Sequence, residues 1–311
     1  MNTTLPLGNL KTPQLACQAP PHIYPGQKIG SSYIIKGKIA EGGMGVVYKA
    51  FDEQGNPAAV KIAVFGTEWF KREQEILRRL EGNPHVPQLL EVPVTNNNYY
   101  VMQFIDGITL HDEIEINGKI SLPKAMDLMA QICFGLKLAA EKNICHRDIK
   151  PENIMLTNEG KSFIIDFGIG KIGNSNGGNY GTALFSSPQQ MKGEPTGHRD
   201  DIYSLGVVFY CMLSGHSQPF ICANNDDALY IEKTTTDLPP IKIKFPTLKD
   251  RVNSMLKKML AVSREERCQT YEEILEAIEE IKGEIKKLEE QEQAIRKASI
   301  IATLREKKRD T

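Results

Sequence analysis

No stretch of this sequence is long and apolar enough to cross a bilayer. The most apolar run, Gly206 to Leu213, falls well short of the ~18 residues a spanning helix needs and reads as a core helix. The first residues, Met1 to Gly8, lack a basic region followed by an apolar one, so no secretory signal is read there. Charge of one sign is also missing. The net charge of −1 gives no reason to expect nucleic acid or an anionic membrane as the main partner. Cysteine is sparse: Cys17, Cys133, Cys145, Cys211, Cys222 and Cys268 contain no CxxC pair, which argues against zinc. Thiols scattered in this way read as reduced and predict a cytoplasmic protein. Cys145 beside His146 could be a nucleophile with its base, but neighbours on an extended segment point to opposite sides. There are no internal repeats. The single tryptophan, Trp69, is expected to anchor the first helix to a small sheet.

What is present is ordinary for a folded chain, with 41% hydrophobic and 25% charged residues. Residues 1–30 are rich in Pro, Gln and Thr without a period and predict a flexible arm. Between Tyr33 and Lys49, β-branched and aromatic residues flank a Gly-rich turn. Ala58 to Val64 is a short apolar strand carrying one lysine, and Val86–Glu91 and Tyr99–Phe104 add strands. Trp69 to Leu80 has Phe70, Ile76, Leu77 and Leu80 near helical spacing, with Gly82-Asn83-Pro84 as its stop. Beyond Gly107 the texture becomes helical. Pro123 to Lys142 predicts a long amphipathic helix with Pro123 in its first turn, and 200–214, 225–234 and 248–261 predict more. The chain therefore predicts an α+β protein of two lobes, sheet-rich over 31–107 and helical over 108–282, with a helical extension over 283–311.

In that last part Ile274, Ile278, Ile281, Ile285 and Leu288 keep a heptad rhythm, which Glu292 interrupts and Ile295 resumes. The run fits either one long helix packed on its own domain or a coiled coil with a partner or second copy. A chain ending at Lys282 is expected to keep its main domain.

The chemistry concentrates in residues 144–168. His146-Arg147-Asp148, Lys150, Asn153 and Asp166-Phe167-Gly168 supply a carboxylate base, a cation, a carboxamide metal ligand and a second carboxylate. Phosphoryl transfer from a metal nucleotide needs this set, because it is mostly positioning and charge neutralisation. Upstream, Ala40-Glu41-Gly42-Gly43-Met44-Gly45 has bare glycines that let backbone amides approach phosphate oxygens. Lys61 stands on the apolar strand that follows. A lysine with apolar neighbours on both sides calls for an anionic partner, and Glu73 stands on a helix that could supply it.

These motifs, in this order, resemble the Hanks-type (eukaryotic-like) serine/threonine protein kinases, bacterial branch, from about Tyr33 to Ile281. The resemblance implies the bilobal kinase fold, with ATP and Mg²⁺ (or Mn²⁺) as cofactors and a protein substrate. It implies that Lys61 holds the α- and β-phosphates and is oriented by Glu73. Asp148 would accept the hydrogen bond of the substrate hydroxyl, Lys150 would neutralise the γ-phosphate, and Asn153 and Asp166 would bind metal. Ala40, Gly42, Gly43 and Gly45 would line the phosphates. Val47, Ala59 and Met155 would sandwich adenine, with Met102 behind it and Gln103 to Ile105 as the hinge. Asp201 resembles the aspartate that braces the catalytic loop, and His146 is expected to pack beneath that loop. His85 and His111 are expected at the surface or at caps.

Three departures from the pattern stand out. Ala40 replaces the first glycine. Ser187-Pro188-Gln189 replaces Ala-Pro-Glu, so the arginine matched by Arg267 meets a carboxamide instead of a carboxylate. The position that often carries an activating phosphothreonine is Gly178, which leaves Ser175 and Tyr180 as the hydroxyls between Lys171 and Gly181. Thr182 resembles the threonine that contacts the catalytic loop. Activity is therefore expected not to depend on a phosphate at the usual site, with Ser175 the fallback. Two other readings are a pseudokinase scaffold and a small-molecule kinase. The first commonly lacks one of the residues present here, and the second usually lacks this full motif set.

Overall fold

The structure, a computed structural model, describes residues 23–42, 45–64, 67–93, 98–167, 171–172, 182–221, 225–243 and 245–307. The first lobe is a six-stranded antiparallel sheet. Its strands are β1 (Lys28–Ile29), β2 (Tyr33–Gly42), β3 (Gly45–Phe51), β4 (Pro57–Ala63), β5 (Leu89–Glu91) and β6 (Tyr99–Gln103). They lie in the order β1-β2-β3-β4-β6-β5. Strand alternation divides the sheet into two faces. Ile35, Ala50, Ala58, Val60, Ile62 and Val101 form a small core on one face. The cross-strand partners Val47–Lys61–Tyr100 and Lys49–Ala59–Met102 share the other face. Asp52 closes the turn between β3 and β4, accepting from the backbone amides of Gln54 and Asn56 at 2.9 and 2.8 Å. Residues 23–30, expected in the flexible arm, instead include the edge strand β1, where Ile29 is buried.

Helix α1 (Thr67–Arg79) turns Phe70, Glu73, Gln74, Ile76 and Leu77 inward. Trp69 does not anchor it. That residue lies one position off the buried stripe, is 37% exposed, and has the Arg72 guanidinium 4.9 Å over its ring. Phe70 is the anchor, with its ring centroid 5.1 Å from that of Tyr100. The strand expected over Val86–Glu91 shrinks to β5. Val86 is buried in the preceding turn, where the Gln88 side chain bonds the carbonyls of Asn83 and Val86.

Gly107 opens the second lobe as the first residue of β7 (Gly107–Thr109), which pairs with β9 (Ile154–Thr157), itself paired with β10 (Ser162–Ile164). A Cβ on Gly107 would run into the Leu156 carbonyl, so the close strand approach requires glycine here. The rest is helical: α2 (Leu110–Asn117), α3 (Leu122–Glu141), α4 (Pro188–Met191), α5 (His198–Ser214), α6 (Asp226–Thr235), α7 (Pro246–Met259) and α8 (Tyr271–Lys307). The strands β8 (Ile144–Cys145) and β11 (Lys171–Ile172) pair antiparallel beside them. Every residue of α5 from Asp200 to Leu213 is buried; from Leu205 to Leu213 the helix is apolar on all sides, whereas Asp200 and Asp201 are buried with polar partners. Among the described residues no helix is long and apolar enough to cross a membrane.

The heptad face is occupied by the chain itself. Ile274, Ile278, Ile281 and Ile285 are buried and Leu288 packs against the same core. Helix α8 does not break at Gly283, and the packed part runs to Leu288, beyond the boundary set at Lys282. Ile295, in contrast, is 70% exposed. Burying an Ile or Leu side chain is worth about 1.5–3 kcal/mol. A chain cut after Lys282 should therefore melt about 5–15 °C lower than the full chain, at about 2–4 °C per kcal/mol. A chain cut after Glu290 should melt at the full-length temperature. Equal melting of the two truncations by circular dichroism would show that residues 283–288 add nothing to the fold.

Candidate active site

Lys61 is placed on β4 between Val60 and Ile62, on the sheet face away from the small core. Glu73 comes from the buried side of α1. The Lys61 Nζ donates to both Glu73 oxygens at 2.7 and 2.8 Å and to Asp166 Oδ1 at 2.9 Å. Burial alone would lower the Lys61 ammonium, but the carboxylates of Glu73 and Asp166 overcome it and hold its pKa above the usual value. Burial pushes Glu73 up, against the pull of Lys61. Asp166 is held down at about 2, since the Lys61 cation outweighs the desolvation that would raise it. Tyr100, which the sequence did not single out, pairs with Lys61 from the neighbouring strand; burial and the Glu73 carboxylate push its hydroxyl up.

The loop after β8 is fixed from below by Asp201. Its carboxylate accepts the backbone amides of His146 and Arg147, each at 2.7 Å. Arg147 takes a left-handed backbone, φ 72°, and the Gln190 side chain secures its carbonyl at 2.9 Å. His146 is fully buried. Its Nε2 lies 3.0 Å from the Ile165 carbonyl and its Nδ1 accepts the Asp148 amide at 3.3 Å. Burial lowers its pKa, and its ring packs 4.5 Å from that of Phe167. Both ring nitrogens are thus committed to backbone groups. Burial likewise pushes the Cys145 thiol far up, which removes it as a nucleophile.

Asp148 is the hub of the loop. Its Oδ1 accepts the Thr182 amide at 2.9 Å and its Oδ2 faces the Lys150 ammonium at 2.9 Å. Lys150 also donates to Thr182 Oγ1 at 2.8 Å. Asn153 donates its Nδ2 to the Asp148 carbonyl and to Oδ2 at 2.8 and 3.1 Å. With its nitrogen so engaged, the Asn153 carboxamide has its oxygen left as the acceptor. Asp166 holds a second left-handed backbone, φ 62°, a conformation a non-glycine residue adopts only where the surroundings over-determine it. Here Lys61 grips its side chain and buried Phe167 anchors the next position.

Val47, Ala59 and Met102 share the Lys61 face of the sheet. Gln103 lies at the end of β6, its amide bonded to Gln88 at 2.8 Å, and Ile105 is buried just beyond. Met155, half-buried, comes from β9 of the other lobe. Ala40 is exposed and pairs with Val47, and Gly42 pairs with Gly45. A Cβ on Gly45 would sit 2.5 Å from the Ile62 carbonyl, so only glycine fits there. Gly43, Gly168, Ser175, Gly178, Tyr180 and Gly181 lie outside the described residues.

Gln189 does reach Arg267, with Nη2 to Oε1 at 3.0 Å. The missing charge is partly supplied by Asp200, which the sequence reading passed over. Its Oδ1 lies 3.2 Å from Arg264 Nη2, 3.7 Å from Arg267 Nη1, and accepts from Ser187 Oγ at 2.6 Å. His85, expected at the surface or at a cap, is half-buried in a turn, and its Nδ1 is 2.9 Å from the Ser162 carbonyl, linking the lobes.

The protein kinase domain family matches residues 33–278. A probable serine/threonine-protein kinase of Clostridium perfringens is 34% identical over 83% of this chain and 39% of its own length. Another, of Clostridium acetobutylicum, is 32% identical over 83% of this chain and 41% of its own. Serine/threonine-protein kinase PknB of Mycolicibacterium smegmatis is 33% identical over 57% of this chain and 29% of its own. This chain thus spans about two fifths or less of the curated relatives it matches. With four-fifths of its length inside the family match, the chain belongs to the protein kinases and, by its relatives, to their Hanks-type bacterial serine/threonine branch.

Proposed function

We propose that this chain transfers the γ-phosphoryl group of ATP to serine or threonine hydroxyls of a protein substrate. The observation that carries the reading is a pair of bonded clusters. Lys61 ties Glu73 to Asp166, while Asp148, Lys150, Asn153 and Thr182 form a second cluster in the adjoining loop. In this reading Lys61 orients the α- and β-phosphates. Asp148 accepts the hydrogen bond of the acceptor hydroxyl and orients its oxygen for attack. Lys150, on the same carboxylate, is placed to neutralise the incoming phosphoryl oxygens. The sheet face bearing Val47, Ala59 and Met102 supplies the apolar wall for adenine.

The donors fit Mg²⁺ or Mn²⁺. Asp166 is ionised across the physiological range, and Asn153 presents an oxygen because its nitrogen is taken. Among the described residues no group of three or more His, Cys, Asp or Glu side chains could hold a metal unaided. That suits an ion that keeps water and shares its ligands with substrate phosphates. The metal, when bound, supplies charge neutralisation on those phosphates. A scaffold without turnover would not need the complete set retained here. Incubation with γ-labelled ATP and dephosphorylated casein or myelin basic protein should give label on serine or threonine. Excess EDTA should lower the rate at least 100-fold and added Mg²⁺ should restore it. Labelling undiminished in EDTA would refute the mechanism.

A further inference from the structure

Lys233 is a cation where none is expected. It sits on α6 with 4% of its surface exposed. Among the described residues its partners are not carboxylates. Its Nζ donates to the carbonyls of Ala183 and Ser186 at 3.0 and 2.7 Å. The ring centroids of Phe220 and Tyr203 lie 4.8 and 5.4 Å away. A buried ammonium is costly unless its donors are satisfied, and here carbonyl oxygens and ring faces do so. Burial pushes its pKa down to about 7, with Glu232 pulling the other way.

The two carbonyls belong to one turn. The Thr182 carbonyl accepts the amides of Phe185 and Ser186 at 2.9 and 3.1 Å, and Phe185 is buried beneath it. Thr182 itself donates its amide to Asp148 and accepts the Lys150 ammonium on its hydroxyl oxygen. A chain of direct bonds therefore runs from α6 through the turn at 182–186 to the base and its neighbouring cation. We propose that Lys233 is a positioning residue for the acceptor: by tying the carbonyls of Ala183 and Ser186 to α6, it fixes the turn that holds Thr182 against Asp148 and Lys150. Nothing in this chain of bonds reaches the sheet face bearing Val47, Ala59 and Met102. Loss of Lys233 should therefore weaken use of the acceptor and leave the nucleotide side alone. The inference rests on the kinase reading above.

The test uses the full chain and the best serine or threonine peptide that the wild type phosphorylates in an array. Lys233→Met keeps the side chain's length and its contacts with the rings while removing the donor. It should raise the peptide KM about 10-fold with the ATP KM within twofold of wild type. Amide exchange of residues 182–187, read by mass spectrometry without any substrate, should quicken at least 10-fold. Lys233→Arg, which keeps the cation and its donors, should bring the peptide KM back to within about threefold. A Met variant with unchanged peptide KM and unchanged exchange would overturn the proposal. So would equal losses in the use of ATP and peptide, which would mark a merely structural residue. If the wild type phosphorylates no peptide, the kinase reading fails instead, and the exchange measurement still reports whether Lys233 holds the turn.

Discussion

Asp148→Asn should reduce kcat about 100- to 10,000-fold, the range that a positioned acid–base group contributes. The change is nearly isosteric, so its effect reads the chemistry more than the packing. The carboxamide oxygen can still accept the Thr182 amide that Asp148 Oδ1 now takes at 2.9 Å. What is lost is the negative charge facing Lys150 at 2.9 Å and the basic oxygen offered to an acceptor hydroxyl. Affinity for ATP, measured by fluorescence titration or calorimetry, should stay within about threefold, because in this reading Asp148 acts on the acceptor. Melting temperature should hold as well, since the Asn153 side chain also bonds the Asp148 backbone carbonyl at 2.8 Å and that bond survives. A variant that turns over at the wild-type rate would show that another group is the base. A variant that loses ATP binding along with turnover would show that Asp148 belongs to the nucleotide side.

The bonded set was legible in the sequence where the chemistry ties residue types to fixed spacing. His146, Arg147, Asp148, Lys150, Asn153 and Asp166 fall within one short loop and turn. Their types alone announce a base, a cation and hard oxygen ligands. Lys61 was legible because a lysine within an apolar strand needs a partner, and Glu73 because it stands on a helix that could supply the carboxylate. The long helices were legible from period. The strands β7 to β11 are two to four residues long and carry no readable alternation. Contacts made across tens of residues left no local signal. Lys233 meets carbonyls 47 and 50 positions away, and backbone carbonyls are identical whatever the side chain. Asp200 stands next to the bracing Asp201, and only the fold reveals that it faces Arg264 and Arg267. Trp69 misled because size suggests burial, while helical phase decides it.

The buried pair Lys61–Glu73 permits stability and catalysis to be separated. Lys61→Met should lower kcat at least 100-fold, since a phosphate misplaced by about 1 Å is enough for such a loss. It should also destabilise the fold by about 3–5 kcal/mol, the usual effect of stranding one member of a buried ion pair. Glu73 has only 3% of its side chain exposed, and without Lys61 its charge would face Asp166 with no cation between them. Adding Glu73→Gln removes that stranded charge while keeping the size of the side chain and an acceptor oxygen. The double variant should therefore regain most of the lost stability in urea unfolding, because the two substitutions meet at one contact and cannot be additive. It should regain none of the activity, because the phosphates still lack their cation. If the two destabilisations simply add, the pair is not the coupled unit that its 2.7 Å contact implies. If activity returns together with stability, Lys61 serves the fold and the phosphates are held elsewhere.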